Sequence, residues 1–300
     1  MRLSLSRPCL ALLAAVVTVA IPRAQAPAAQ REAREREVTV SVVDGAGAPV
    51  DGLTPADFVV REDGAAREVL RVRRETRPLH LAVLVDNSQA AEPAIAEMRR
   101  GLDAFLEKLG PDHRLALATF GERPELLVDY TTDRAAFRQR GVQRLFARPG
   151  SGAYLLDAVV EASRGLERRR PERPAIVLLT TEGVEFSTLS HDSVLEALWR
   201  SGATLHAVIV TGLVEPDPSR PEARERNLLL DRGTATTGGR RDYVLAVTGI
   251  GPALVSLAAE LESQYLVTYA RPEALIPPER LEVEVRRPGA TARARTRAQP

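Results

Sequence analysis

Four short, nearly continuous apolar runs constrain the fold of this 300-residue chain more than any other feature. They read HLAVLV, RLALATF, AIVLLT and LHAVIV, and they begin near Leu79, Leu115, Ala175 and Leu205. A strand with one face in water alternates apolar and polar residues, whereas a strand buried on both faces is apolar throughout. The runs therefore predict a mainly parallel sheet that is covered by helices on both faces.

Helical patterns separate these runs. Apolar residues recur at helical spacing in residues 94–109, 133–145, 155–166, 190–201 and 252–261. Alternating strands and helices are typical of a doubly wound, Rossmann-like α/β domain, which we place at residues 79–270. The polar, proline-rich residues 213–227 are predicted to form a loop within it.

Both ends of the α/β region have a different pattern. Residues 37–76 contain short alternating segments and an Asp63-Gly64 turn, which predict a small antiparallel β unit. Residues 271–300 also alternate and are predicted to form C-terminal β strands and a tail. The similar patterning suggests the hypothesis that the two segments pair as one flanking unit.

The first residues are predicted to be a processing signal. A short basic region, an apolar stretch at 9–21 and the small-x-small sequence Ala24-Gln25-Ala26 indicate a signal peptide over 1–26. Residues 27–36 would follow as a mobile leader. We therefore predict a secreted or periplasmic protein with no membrane span in the mature chain. The net charge of +1 gives no general attraction for nucleic acid.

Three polar loops leave strand ends or precede helices: DNSQA (86–90), GSGAYLLDA (150–158) and TTEGVE (180–185). In open α/β sheets, ligands bind at the carboxyl ends of the strands, where strand order reverses. The loops are therefore predicted to form a site at that edge.

In this order, the loops resemble those of a von Willebrand factor type A domain. The flanking segments, VSVVDGAGAPVDGLTPADFVVREDG before and LAAELESQYLVTYA after, resemble a bacterial secreted subfamily of such proteins. That family's metal ion-dependent adhesion site uses Asp-x-Ser-x-Ser, a Thr from a Gly-rich loop and an Asp in a Thr-Asp-Gly turn. Here Asp86, Ser88 and Glu182 match ligand positions, but Ala90 and Ala153 replace two hydroxyl residues. The resemblance therefore implies a degenerate site.

Mg²⁺ demands near-octahedral oxygen coordination, so losing two hydroxyls predicts weak Mg²⁺ or Mn²⁺ binding, or none. An alternative assigns Asp86 and Ser88 to capping the next helix and to accepting hydrogen bonds from unpaired amides at the strand ends. By the resemblance, a protein partner would contact the loops through Asn87, Gln89, Ser151, Tyr154 and Glu185.

The resulting functional hypothesis is an exported, non-catalytic protein-binding module. One alternative is a structural or assembly component of the cell envelope with a vestigial metal site. A third hypothesis, a hydrolase or phosphotransfer enzyme, has less support because the chain has no Gly-x-Ser-x-Gly elbow and no phosphate-binding loop.

Overall fold

The computed structural model describes residues 35–215, 217, 219–272 and 278–298. Within these residues the strands are β1 (Glu35–Val43), β2 (Phe58–Glu62), β3 (Ala65–Arg67), β4 (Val69–Arg74), β5 (His80–Val85), β6 (Arg114–Thr119), β7 (Glu125–Thr131), β8 (Pro174–Thr181), β9 (Thr204–Val210), β10 (Arg241–Val244), β11 (Tyr265–Ala270), β12 (Leu281–Val285) and β13 (Thr291–Arg293). The α-helices are α1 (Ile95–Lys108), α2 (Arg134–Arg140), α3 (Leu155–Arg169), α4 (His191–Ser201), α5 (Pro221–Thr237) and α6 (Ile250–Glu262). Short 3-10 helices cover Pro55–Asp57, Gln89–Ala94, Val142–Arg144 and Val247–Gly249.

A six-stranded sheet forms the centre of the α/β part, in the order β10-β9-β8-β5-β6-β7. Its first five strands in that order are parallel, and β7 joins the edge antiparallel to β6. The register of the two central strands pairs Val85 with Leu179. All residues of β8 except Pro174 are buried, as expected for a strand between two helical layers.

Helices cover both faces of the sheet, which confirms the doubly wound α/β prediction. One apolar core contains side chains of α1, α2 and α6, among them Phe105, Phe137 and Leu257. The core on the opposite face contains side chains of α3, α4 and α5, including Leu156 and Leu198. The strands supply alternate residues to the two cores.

The N- and C-terminal segments pair in a flanking β unit, as the sequence suggested. A four-stranded antiparallel sheet has the order β13-β1-β11-β4, and a three-stranded sheet has the order β12-β2-β3. The two sheets share an apolar core that includes Val40, Phe58, Tyr265 and Leu281. The unit lies at the amino edge of the central sheet, because β4 leads directly into β5 and the Glu75 amide donates to the Gln264 carbonyl.

Four predicted boundaries were wrong. Strand β11, assigned to the 79–270 domain, belongs to the flanking unit, because Tyr265, Val267 and Tyr269 alternate into that unit's core. The predicted loop at 213–227 contains the start of α5, whose first residue, Pro221, suits the first turn of a helix.

Residues 35 and 36 of the predicted leader already pair with β11 in β1. The predicted helix at 133–145 ends at Arg140 and continues as a 3-10 turn. The predicted signal peptide and the rest of the leader lie outside the described residues. Among the residues that are described, no helix has the length and apolar character to cross a bilayer.

Candidate functional site

The order of the central strands places two loops side by side. The chain passes from β5 outward to β6 on one side and returns to β8 on the other side, so strand order reverses between β5 and β8. The loop that begins at Asp86 follows β5, and the loop that begins at Glu182 follows β8. The carboxyl ends of these strands therefore meet at the crevice where open α/β sheets bind ligands.

Asp86 connects these two loops and is fully buried. Its Oδ1 accepts a hydrogen bond from the Ser88 amide at 2.9 Å. Its Oδ2 accepts from the Thr181 amide at 3.1 Å and from the Thr181 hydroxyl at 2.7 Å. Oδ1 thus fixes the loop of Asp86 itself, and Oδ2 ties that loop to the end of the neighbouring strand β8. Sequence reasoning missed Thr181, although it stands beside Glu182 in the TTEG sequence.

Ser88 is also fully buried, at the N-cap of the 3-10 helix Gln89–Ala94. Its hydroxyl makes no capping hydrogen bond, and in the described part of the chain its Oγ has no hydrogen-bond partner. The capping alternative is therefore wrong for the Ser88 side chain. For Asp86 the alternative agrees with the structure, because the carboxylate accepts the Ser88 amide just ahead of this helix and the Thr181 amide at the end of β8.

The loop after β8 packs closely against the loop after β5. A Cβ added to Gly183 would lie 2.5 Å from the Ala90 Cβ and 3.7 Å from the Ser88 Oγ. Glu182 precedes this contact and is partly exposed. Its carboxylate makes no hydrogen bond to Asp86 or Ser88 within the described residues. Of the three predicted metal ligands, Asp86 and Ser88 are therefore hydrogen-bonded to each other, and Glu182 lies in the adjacent loop without a bond to them.

Asn87 holds three loops together at this edge and is only 4% exposed. Its Oδ1 accepts from the Gly121 amide at 2.7 Å, and its Nδ2 donates to the Phe146 carbonyl at 3.1 Å. Its own carbonyl accepts from the Arg148 amide. The predicted role of Asn87 as a partner contact is thus a poor match to its position, because its amide is used inside the protein.

The remaining loop residues have mixed positions. The Gln89 side chain is exposed and accepts from the Gly150 amide, and the Ser151 hydroxyl donates to the Arg148 carbonyl. The Tyr154 ring is partly exposed and lies 6.0 Å from the Phe186 ring, centroid to centroid. Gln89, Ser151 and Tyr154 therefore remain accessible to a partner.

Glu185 is buried, which contradicts its predicted role as a partner contact. Its carboxylate accepts the Leu155 amide at the start of α3 and the Ser187 amide. Burial raises the pKa of Glu185 to about 7, against the opposing effect of the Ser187 hydrogen bonds and the charge of Arg226. Its position suits an acidic cap at a helix N-terminus.

The donors at this edge do not fit a strongly bound divalent ion. Mg²⁺ takes six oxygens at about 2.0–2.1 Å. Here Asp86 is engaged by three donors, and the Ala90 methyl lies where a hydroxyl is expected. The Ser88 Oγ, which has no hydrogen-bond partner among the described residues, and the partly exposed Glu182 carboxylate are the oxygens that suit a metal. The described residues contain no group of three or more His, Cys, Asp or Glu side chains placed to hold a metal.

Several exposed apolar side chains lie at the same edge of the sheet. Within the described chain, the large hydrophobic residues that are exposed are Leu126, Phe146, Val184, Phe186, Tyr243 and Leu245. All six lie at or near the carboxyl edge: Val184 and Phe186 follow β8, and Leu245 follows β10. The Phe146 carbonyl bonds to Asn87, and Leu126 pairs with Ala118 near the end of β6.

Comparison with known proteins agrees with this architecture. Residues 81–184 match the family model described as the von Willebrand factor type A domain. No curated protein matches the chain. The structure is similar to a von Willebrand factor type A protein from Catenulispora acidiphila, with 12% identity, a TM-score of 0.50, and coverage of 86% of this chain and 72% of that one.

Two further solved structures are similar. The conserved hypothetical protein BatB from Bacteroides thetaiotaomicron is 12% identical, with a TM-score of 0.45 over 62% of this chain and 100% of that one. Proximal thread matrix protein 1 from the mussel byssus is 12% identical, with a TM-score of 0.49 over 67% of this chain and 50% of that one. The family match and the fold together indicate a von Willebrand factor type A domain at residues 81–184. The flanking β unit lies at the amino edge of the central sheet, outside the matched residues.

Proposed function

We propose that this protein is an exported, non-catalytic binding module that docks a protein partner on the loops at the carboxyl edge of its central sheet. The observation that supports this is the position of the exposed large hydrophobic side chains, which lie at that edge. Interface cores are enriched in aromatic residues, and Phe146, Phe186 and Tyr243 supply three.

Metal has a weak or absent role in this proposal. The support is the donor set, in which Asp86 is already engaged by three protein donors and Ala90 brings no oxygen.

Export is proposed on the basis of the small-x-small sequence at Ala24-Gln25-Ala26, which indicates a secreted or periplasmic protein. The absence of a catalytic role is proposed because Ser88, the hydroxyl at the centre of the site, has no histidine beside it among its described contacts.

The competing proposal is a structural component of the cell envelope that makes its contacts through the flanking β unit. That unit offers Leu70, a partly exposed apolar residue on the outer strand β4. Since Leu70 belongs to the flanking unit at the amino edge and Phe186 lies at the carboxyl edge of the central sheet, the two proposals predict cross-links at different positions.

The test is site-specific photocross-linking in the native envelope fraction, with a photoreactive phenylalanine analogue at position 186 or at position 70. A discrete adduct from position 186 but not from 70 is expected. The partner identified in this way is then titrated against purified Phe146→Ser, Phe186→Ser and Leu70→Ser variants. Each Phe variant is expected to weaken binding by about tenfold or more, as interface hot spots do, while Leu70→Ser has no effect. The reverse pattern would favour the structural component.

A further inference from the structure

Arg226 brings a buried positive charge to the carboxyl edge. Helix α5 follows the loop that leaves the carboxyl end of β9, so its first turns lie at this edge. Arg226 is 4% exposed, and its Nη1 donates to the Gly183 carbonyl at 2.6 Å. The guanidinium is therefore anchored to the loop that follows β8, next to the contact with Ala90.

Three acidic residues lie near enough for their charges to act on this guanidinium, without forming an ion pair with it in the described part of the chain. They are Glu185, Glu182 and Asp86, in the loops after β5 and β8, and the raised pKa of Glu185 makes its charge depend on pH. Burial lowers the pKa of Arg226, and these carboxylates oppose the change, together with Tyr243. Because an arginine stays protonated in proteins, the edge holds a permanent cation.

The need for such a charge follows from the burial of Asp86. A buried carboxylate is costly unless it is hydrogen-bonded and compensated by positive charge. Thr181 and Ser88 supply the hydrogen bonds but no net charge. Arg226 supplies the charge from the second turn of a helix that already packs against the sheet.

We propose that Arg226 is a built-in counter-cation, which takes over at this edge the charge compensation that a divalent ion gives in a complete adhesion site. The loops after β5 and β8 then keep their arrangement without metal. This inference rests on the metal-independence in the proposed function. It does not depend on the identity or existence of a partner, because its readouts are metal binding and thermal unfolding.

The test compares the full-length mature protein with Arg226→Met, Arg226→Lys and Arg224→Met. Arg224 is exposed on the same helix, so Arg224→Met is a matched control for the loss of one charge. Each protein is titrated with MnCl₂ by calorimetry. Its Tm is measured in millimolar MnCl₂, and again in EDTA with ionic strength matched by NaCl.

Wild type, Arg224→Met and Arg226→Lys are expected to show the same Tm with Mn²⁺ as with EDTA. Arg226→Met is expected to have a lower Tm in EDTA, which Mn²⁺ raises, and to bind Mn²⁺ at least about tenfold more tightly than wild type. A folded Arg226→Met variant whose Tm and Mn²⁺ affinity equal those of wild type would overturn the proposal. Mn²⁺ binding by wild type that disappears in Asp86→Ala would overturn it as well.

A second variant decides the case in which Arg226→Met does not fold. Asp86→Asn/Arg226→Met removes the carboxylate together with its counter-charge and keeps the side-chain volume at position 86. The proposal expects this double variant to regain a cooperative unfolding transition. If the double variant also fails to fold, Arg226 is needed for packing and not as a counter-cation, and the proposal is wrong.

Discussion

The Thr181 hydroxyl donates a 2.7 Å hydrogen bond to the Asp86 carboxylate inside the protein. Strands β5 and β8 are neighbours, and the Asp86 amide continues their ladder by donating to the Leu179 carbonyl. The register therefore brings Thr181, two residues further along β8, to the Asp86 side chain. This pair fixes the geometry at the point where strand order reverses.

Thr181→Val is expected to lower the free energy of unfolding by about 2 kcal/mol, because it removes a hydrogen bond to a buried charged group without changing side-chain shape. Urea denaturation measures the change. Thr268→Val is the matched control, since Thr268 is buried and its hydroxyl has no partner in the described residues. This control is expected to be neutral or slightly stabilising. Equal losses in both variants would show that the hydroxyl of Thr181 contributes nothing specific.

Gly121 is required by a close approach of two loops. A Cβ at this position would lie 2.5 Å from the Ser88 amide nitrogen and 2.6 Å from the Asn87 Oδ1. Gly121→Ala is therefore expected to cost about 2 kcal/mol or more in the free energy of unfolding, through displaced backbone.

Gly45→Ala is the control for the Gly121 substitution. No atom lies within 4 Å of the added Cβ at position 45, so this change is expected to be neutral or mildly stabilising. The same urea denaturation series compares both variants. A tolerated alanine at position 121 would mean that the loops after β5 and β6 can separate without loss of stability.

The sequence predicted the central sheet well because strands buried on both faces are distinctive. The same signal could not place β11. Its run of apolar and aromatic residues suits either sheet, and only the pairing with β1 and β4 assigns it to the flanking unit. The prediction that Glu182 lies near Asp86 and Ser88 rested on the strand order of the family that the loops resemble, and β5 and β8 are neighbours in the structure.

The spacing of apolar residues did not predict the position of Arg226. Helix α5 begins with the polar residues PEARERN, whose apolar spacing is weak, so the segment reads as a loop. Pro221 at the first helical position was the available signal. Glu185 was misassigned for a related reason: a carboxylate in a polar loop suggests an exposed residue, and its burial depends on how α3 packs against that loop.

Glu185 predicts a loss of stability as the pH rises. Its pKa of about 7 in the folded protein lies above the ordinary value of 4.5. The stability that the protonated form contributes is fully present below pH 4.5 and is lost as the pH rises through about 7. A pKa shift of this size corresponds to about 3 kcal/mol in the free energy of unfolding. Glu185→Gln cannot ionise and is therefore expected to gain stability relative to wild type between these pH values.

Urea denaturation of wild type and Glu185→Gln across this pH range measures the difference in the free energy of unfolding. The difference is expected to grow with pH and to level off above the folded-state pKa. A difference that stays constant across the range would mean that Glu185 is already ionised at its buried position, held so by Arg226 and the amides of Leu155 and Ser187.

For Glu62, in the flanking unit, stability is expected to depend on pH in the opposite direction. Burial alone would raise the pKa of Glu62, but hydrogen bonds from Arg271, Tyr269 and Arg67 outweigh it and hold that pKa below its ordinary value. A depressed pKa means that the stabilisation is present above the unfolded-state pKa and is lost as the pH falls through the folded-state value. Stability should therefore fall in acid because of Glu62, and rise in acid because of Glu185.

Glu62→Gln is expected to cost about 3 kcal/mol at neutral pH, because Arg271 and Arg67 then face an uncharged partner in a buried position. Glu284→Gln, an exposed carboxylate paired with Arg61 on the same small sheet, is the matched control and should cost less than about 1 kcal/mol. Urea denaturation at neutral and acidic pH measures both. The difference between wild type and Glu62→Gln is expected to shrink in acid, as wild-type Glu62 becomes protonated. Equal costs for the two variants at neutral pH would mean that the buried carboxylate does not hold β2, β3 and β11 together.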